Sequence, residues 1–587
     1  MTGTPLTATD RDQALARLAA SVEPGNELDV LVIGGGITGA GVALDAVTRG
    51  LSTAVVEAQD WASGTSSRAS KLVHGGLRYL QMLDFKLVRE ALTERELLLT
   101  TIAPHLVRPL PFLYPIRHGI IERLFVGAGI ALYDTMAGLG SRRSVPWHRH
   151  LGRKRLAAAF PGLDPKAASG AIEYWDANVD DARFTLTVLR TAVDHGASAA
   201  SRTQVVDLTK DEDGRVNGAI LADLETGTTF AVRARSVISS TGVWTEEAQS
   251  LADETGGLRV LASKGIHIVV PRERIEGTVG LILQTEKSVL FVIPWSRYWV
   301  IGTTDTPWDQ DLVNPVATAA DIDYVIDRAN RVLADPIDRS DVVGTWAGLR
   351  PLLQPGTKDG TTSAKVSREH TVASPAPGLV VIAGGKFTTY RVMAEDAVDF
   401  ALGDAAKQYP SVTSGIPLLG ATGLEAATRE VTSAATRFGW SAALVDHLLH
   451  RYGANTLEIL ATCDDDPELA LPLTGAPAYL RAEVLYAITH EGALHVDDII
   501  ERRTRLVYEY AGAGVPALAE VASIARTALG WTAEQEKREI DGFTRRAEAE
   551  EKASLASDDV SASQIRAAVD DVVPMLPAPT AGSRQTA

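Results

Sequence analysis

The sequence predicts an α/β fold with a Rossmann-like unit at its front, a strand-rich middle and a helical last third. Three observations predict it. Residues 29–33 are a short apolar run that leads directly into a glycine-rich turn. Residues 235–240 and 379–383 are also strand-like, and run straight into Thr241 and Gly242 and into Gly384 and Gly385. Past about residue 415 the apolar spacing becomes helical, as in residues 479–489 and 496–510.

Residues 1–27 read as an extension without the apolar core of a secretory signal, and residues 14–20 as a short helix. Residues 29–33 read as a buried parallel strand and residues 40–49 as a helix. Residues 53–56 are a second strand ending in Glu57. Between the first strand and the helix stand Gly34, Gly36 and Gly39, a G-x-G-x-x-G. Gly34 permits the tight turn, Gly36 lets the backbone approach a pyrophosphate, and Gly39 lets the helix pack close to the sheet. The helix N-terminus offers N–H groups to phosphate, and Glu57 can accept hydrogen bonds from ribose hydroxyls. The pattern predicts a dinucleotide and does not separate NAD from FAD. Residues 85–99 read as helical. Residues 289–294 and 298–303 read as a hairpin turning at Ser296 and Arg297. From Ala549 the chain is rich in Ala, Ser, Asp and Pro, a composition that predicts a disordered tail. No internal repeat is visible.

The formal charge of -17 over 587 residues argues against a nucleic-acid partner. Cys463 is the single cysteine, so an internal disulfide and a thiolate cluster are excluded. No uncharged stretch approaches the ~20 residues of a transmembrane helix. Residues 124–133 come nearest, so any membrane contact is expected at the surface.

Six stretches resemble the FAD-dependent, quinone-linked glycerol-3-phosphate dehydrogenases. They are IGGGITGAGVALDAVTRG at 33–50, SSRASKLVHGGLRYL at 66–80, KGIHIVV at 264–270, FVIPW at 291–295, GTTD at 302–305 and GGKFTTYRVMA at 384–394. The resemblance runs from about residue 28 to about 545. It implies FAD and a Rossmann-like FAD-binding domain assembled from residues 28–85, 180–245 and 375–410. An antiparallel-sheet substrate domain would span 86–179 and 246–374, a helical C-terminal domain 411–548, and the tail 549–587. The implied reaction is oxidation of glycerol 3-phosphate to dihydroxyacetone phosphate, with electrons passed to a membrane quinone.

A phosphate dianion calls for fixed cations, and arginine suits bidentate phosphate geometry. By resemblance Arg78, Arg350 and Arg368 match the family's substrate arginines. His267 is the candidate base for the C2 hydroxyl proton, because imidazole titrates near working pH. His74 is second choice, more in keeping with a structural or flavin contact. Lys386 follows a strand end, where it can stabilise charge on the reduced ring or touch substrate. Thr65, Ser66, Ser67, Lys71, Gly242, Trp244, Gly385 and Thr388 are expected around the flavin. Asp180 and Asp181 read as a turn or helix cap, since two carboxylates without histidine make a poor metal site.

A quinone lives in lipid. The apolar residues 124–133 are followed by Arg142, Arg143, Arg149, Arg153, Lys154 and Arg155, the combination an interfacial anchor on anionic lipid needs. Arg502, Arg503 and Arg505 form a second, weaker basic cluster. The expected address is cytoplasmic, peripheral on the inner face of the plasma membrane, and a homodimer is admitted. Three other readings share the fingerprint: an oxidase that uses oxygen, an amine or amino-acid oxidase with a G-x-R-P segment like residues 348–351, and a non-catalytic flavin-bound scaffold.

Overall fold

The computed structural model describes residues 3–77, 80, 84–117, 119–138, 144–252, 258–285, 289–354 and 370–577. Two large sheets organise them. The first has a parallel core in which Leu28–Ile33 lies between Thr53–Val56 and Thr229–Ser239. Ser198–Ala200 extends it beyond Thr53–Val56, and Leu379–Gly384 extends it beyond Thr229–Ser239. The core strands are buried on both faces, which explains their uninterrupted apolar runs. On one face lie the helices Ile37–Thr48, Asp181–Asp194 and Tyr390–Leu402. Gly41 lets two of them meet, since a Cβ there would stand 2.9 Å from the Tyr390 ring.

On the other face sit a small antiparallel meander and the helix Ala8–Ala20. That helix is longer than the sequence suggested. Thr7 and Asp10 close its start with a capping box, and its buried Arg11 pairs with Asp223. The front segment is thus an integral layer of the dinucleotide domain.

The second sheet is antiparallel except where Gly280–Gln284 runs parallel to Arg108–Ile116. Toward one edge of it Val260–Pro271 is flanked by Tyr298–Gly302 and Gly344–Leu353. The hairpin Val289–Trp295 to Tyr298–Gly302 turns at Ser296, whose φ is +52°. Leu72–Val73 also joins this sheet, by pairing with Gly170–Asn178.

The last third is helical, but residues 496–510 are not one helix. A wide turn at Asp498–Arg503 is followed by Arg505 in a left-handed conformation and the short helix Leu506–Glu509. The tail expected to be disordered is instead helical over much of its length. Ala533–Ser554 continues past residue 549, and Asp559–Ala567 follows it. Ala553 and Ala562 are fully buried beside Val316, and Asp559 pairs with the buried Lys264. Alanine richness signals helix here, because alanine has the best helix propensity and its small side chain allows close packing. Residues 578–587 lie outside the described residues.

Candidate active site

A cavity of about 380 Å³ crosses the C-terminal ends of the parallel strands, within the range of small-molecule sites. The fingerprint turn forms its middle. Gly34 has φ +106°, and a Cβ on Gly36 would approach the Ser66 hydroxyl to 3.1 Å. Gly39 does not line the cavity; a Cβ there would strike the Gly34 carbonyl at 1.8 Å, so its role is close helix–strand packing. The Ser66 hydroxyl accepts from the Ile37 N–H at 2.9 Å. Glu57 accepts from the N–H of Gly35 (2.6 Å) and Gln59 (2.8 Å), which fixes its carboxylate at the strand end. Burial pushes its pKa up, and those two N–H groups pull it back. Glycine cradle, helix start and anchored acid together fit a dinucleotide.

At the far end the cavity passes Trp244, His74, Gly385, Lys386 and Thr388, and then His267 and Arg350 from the second sheet. Thr388 accepts from the His74 N–H (3.1 Å) and donates to its carbonyl (3.3 Å), tying the two segments together. Thr65 donates to the Leu349 carbonyl at 2.6 Å, and Gly242 turns with φ +57°. Arg350 donates to the Thr304 carbonyl (3.2 Å) and the Thr303 hydroxyl (3.0 Å). Two strand glycines make the space. A Cβ on Gly265 would stand 2.3 Å from the Arg350 guanidinium, and one on Gly302 would stand 2.3 Å from the His267 ring.

His267 is buried and stacks on Trp346, with ring centroids 5.0 Å apart. Its Nε2 lies 2.8 Å from the Ser70 hydroxyl. Its Nδ1 is buried without a hydrogen-bond partner among the described residues. Burial, then Arg350 and Lys71, hold its pKa well below the ordinary imidazole value. The ring is therefore held neutral near pH 7, and the same burial and cations make it a weaker base than the free imidazole that the sequence suggested.

Lys71 and Ser67 stand elsewhere than expected. Lys71 has a left-handed backbone (φ +58°), and its ammonium is buried against Asp181 (2.5 Å) and the Ser67 carbonyl (2.7 Å). Burial, then nearby Arg505, bring its pKa down to about 8. An ammonium so enclosed takes its carboxylate inside the protein rather than reaching the cavity, and Ser67 serves as its backbone acceptor. Asp180 caps the helix Asp181–Asp194. Arg78 and Arg368 lie outside the described residues. Sequence reasoning passed over Ser70, although it sits inside the quoted SSRASK stretch. It also passed over Gln204 and Met575, which line the cavity and carry no local signal.

The model of the FAD dependent oxidoreductase family matches residues 29–399, and that of the C-terminal domain of alpha-glycerophosphate oxidase matches residues 411–536. A glycerol-3-phosphate dehydrogenase of Mycobacterium leprae (strain TN) is 51% identical over 546 residues, covering 93% of this chain and 92% of its own. The mitochondrial glycerol-3-phosphate dehydrogenase of Homo sapiens is 37% identical over 537 residues, 88% of this chain and 72% of its own. The X-ray structure of the glycerol-3-phosphate dehydrogenase from Bacillus halodurans complexed with FAD superposes with a TM-score of 0.73 at 29% identity, covering 92% of this chain and 98% of that one.

Proposed function

This chain belongs to the FAD-dependent glycerol-3-phosphate dehydrogenase family, and from that premise we propose that it oxidises sn-glycerol 3-phosphate to dihydroxyacetone phosphate and delivers the electrons to a membrane quinone. FAD, when bound, supplies the hydride acceptor. His267 takes the C2 hydroxyl proton as the hydride leaves C2, so that a ketone remains. Arg350 offers its guanidinium to the phosphate, with Arg78 and Arg368 assigned the same task by their sequence contexts. Lys386 adds positive charge where negative charge develops. The observation that carries this reading is the convergence of His267, Arg350, His74 and Lys386 on one end of a single cavity.

The acceptor is argued from the surface. On the helix Ile120–Gly138, Ile120, Ile121, Leu124 and Phe125 are 69–83% exposed. Their spacing puts them on one face. Arg153, Lys154 and Arg155 are exposed as well. Among the described residues no helix is long and apolar enough to cross a membrane. An apolar face near fixed cations supports peripheral docking on an anionic leaflet, the inner face of the plasma membrane, where quinone is within reach.

The test is quinone-analogue reduction measured alongside peroxide release, together with cosedimentation on anionic vesicles. Substrate oxidation matched by quinone reduction, with recovery in the vesicle pellet that falls with salt, supports the proposal. Peroxide as the main product overturns the quinone assignment, and equal recovery in the supernatant with and without vesicles overturns the docking.

A further inference from the structure

We propose that residues 571–577 belong to the dinucleotide site, closing its adenosine end and slowing cofactor release; this rests on the FAD reading above. Strand order gives the cavity two distinct ends. The fingerprint turn follows Leu28–Ile33, the middle strand, and so marks the pyrophosphate. Glu57 follows the neighbouring Thr53–Val56 and marks the adenosine ribose. The adenosine therefore lies toward Thr53–Val56 and Ser198–Ala200, and the flavin ring toward Leu379–Gly384 and His267.

At the adenosine end the lining residues are Glu57, Gln59, Thr203, Gln204, Val205 and Met575. Met575 reaches there from 370 positions farther along the chain than Val205, and two anchors hold it. On one side the Gln204 side chain clasps both backbone groups of Leu576: its Oε1 accepts from the Leu576 N–H at 2.8 Å, and its Nε2 donates to the Leu576 carbonyl at 3.0 Å. On the other side Asp571 accepts from Arg566 (2.6 Å) and from Asn314 (3.2 Å). The segment thus runs as a strap from the tail helix to the dinucleotide sheet. A flexible, polarisable thioether suits contact with a flat heteroaromatic face.

The test uses full-length holoenzyme, a chain lacking residues 571–587, and Gln204→Leu. FAD released after dilution is followed by its fluorescence, and ADP binding to each apoprotein by calorimetry. Gln204→Leu is expected to release FAD about tenfold faster, the effect of losing two neutral hydrogen bonds, the shortened chain at least as fast, and both to bind ADP correspondingly more weakly. If the shortened chain does not fold, Gln204→Leu decides alone. FAD bound but released at the full-length rate, with ADP affinity unchanged, overturns the strap alone. A chain that never takes up FAD contradicts the cofactor reading, and the strap falls with it.

Discussion

Two cationic stretches that look alike as strings occupy opposite environments. Arg502, Arg503 and Arg505 are buried, whereas Arg153, Lys154 and Arg155 face solvent. The sequence suggested a surface role for both, and the structure corrects the first. Arg503 grips both oxygens of Asp60 at 2.6 and 2.8 Å, Arg502 adds a bond to the same carboxylate at 2.5 Å, and Arg505 reaches Asp181 at 2.8 Å. Asp60 lies three residues past Glu57, so this cluster rivets the helical region to the loop beside the dinucleotide site. Despite burial, Arg503 and Arg502 hold Asp60 below the usual carboxylate range. The exposed trio follows the strand Arg149–Gly152, whose Leu151 carbonyl accepts at 2.8 Å from Arg123 on the helix that carries the apolar face. What separates the clusters is the position of carboxylates hundreds of residues away, which no local pattern records.

The comparison breaks most sharply at Arg503. Arg503→Ala leaves a buried carboxylate short of its bidentate partner and is expected to cost about 3–5 kcal/mol in urea unfolding. A loss under about 1 kcal/mol would mean the rivet carries little load.

Next in size is the effect of pH on His495. It is buried between Glu225 (2.9 Å) and Glu539 (3.0 Å), joining the meander to the last long helix. Burial opposes its charge, but the two carboxylates prevail and push its pKa up to about 10. Since the folded value exceeds the unfolded one, this stabilisation is complete below about pH 6.5 and is lost as pH rises toward 10. The expected loss is on the order of 3 kcal/mol, read as the difference in pH-dependent unfolding between the unaltered chain and His495→Gln. Parallel curves would contradict it.

The exposed trio should behave in the opposite way. Reversing Arg153, Lys154 and Arg155 to Glu is expected to change unfolding by no more than ~0.5 kcal/mol, while binding to anionic vesicles weakens at least about tenfold. Smallest in stability is Leu124→Ser. Leu124 is 69% exposed, so little packing is lost, yet vesicle binding should drop. Unchanged vesicle binding in both variants would remove this face from the membrane account.

The same contrast shows what the sequence could reveal. The βαβ unit was readable because Gly34, Gly36, Gly39 and Glu57 act through contacts within about thirty residues, a span local pattern can capture. His267 lies in KGIHIVV and Arg350 in a G-x-R-P segment, and both line the cavity. The space they occupy depends on Gly265 and Gly302, whose need for a missing Cβ appears only once strands pair. Lys71 was misplaced because its partner, Asp181, lies 110 residues away. The tail helix was misread because Ala553, Asp559 and Ala562 are ordered by contacts with Val316 and Lys264, on a domain more than 200 residues earlier.

The most direct measurement of the central claim is an anaerobic titration of the purified holoenzyme with sn-glycerol 3-phosphate, watched in the visible flavin bands. The account predicts bleaching with dihydroxyacetone phosphate formed in equal amount, and no bleaching by glycerol or NADH. A flavin spectrum that stays unchanged with the phosphorylated alcohol, or that bleaches equally with glycerol, would contradict it.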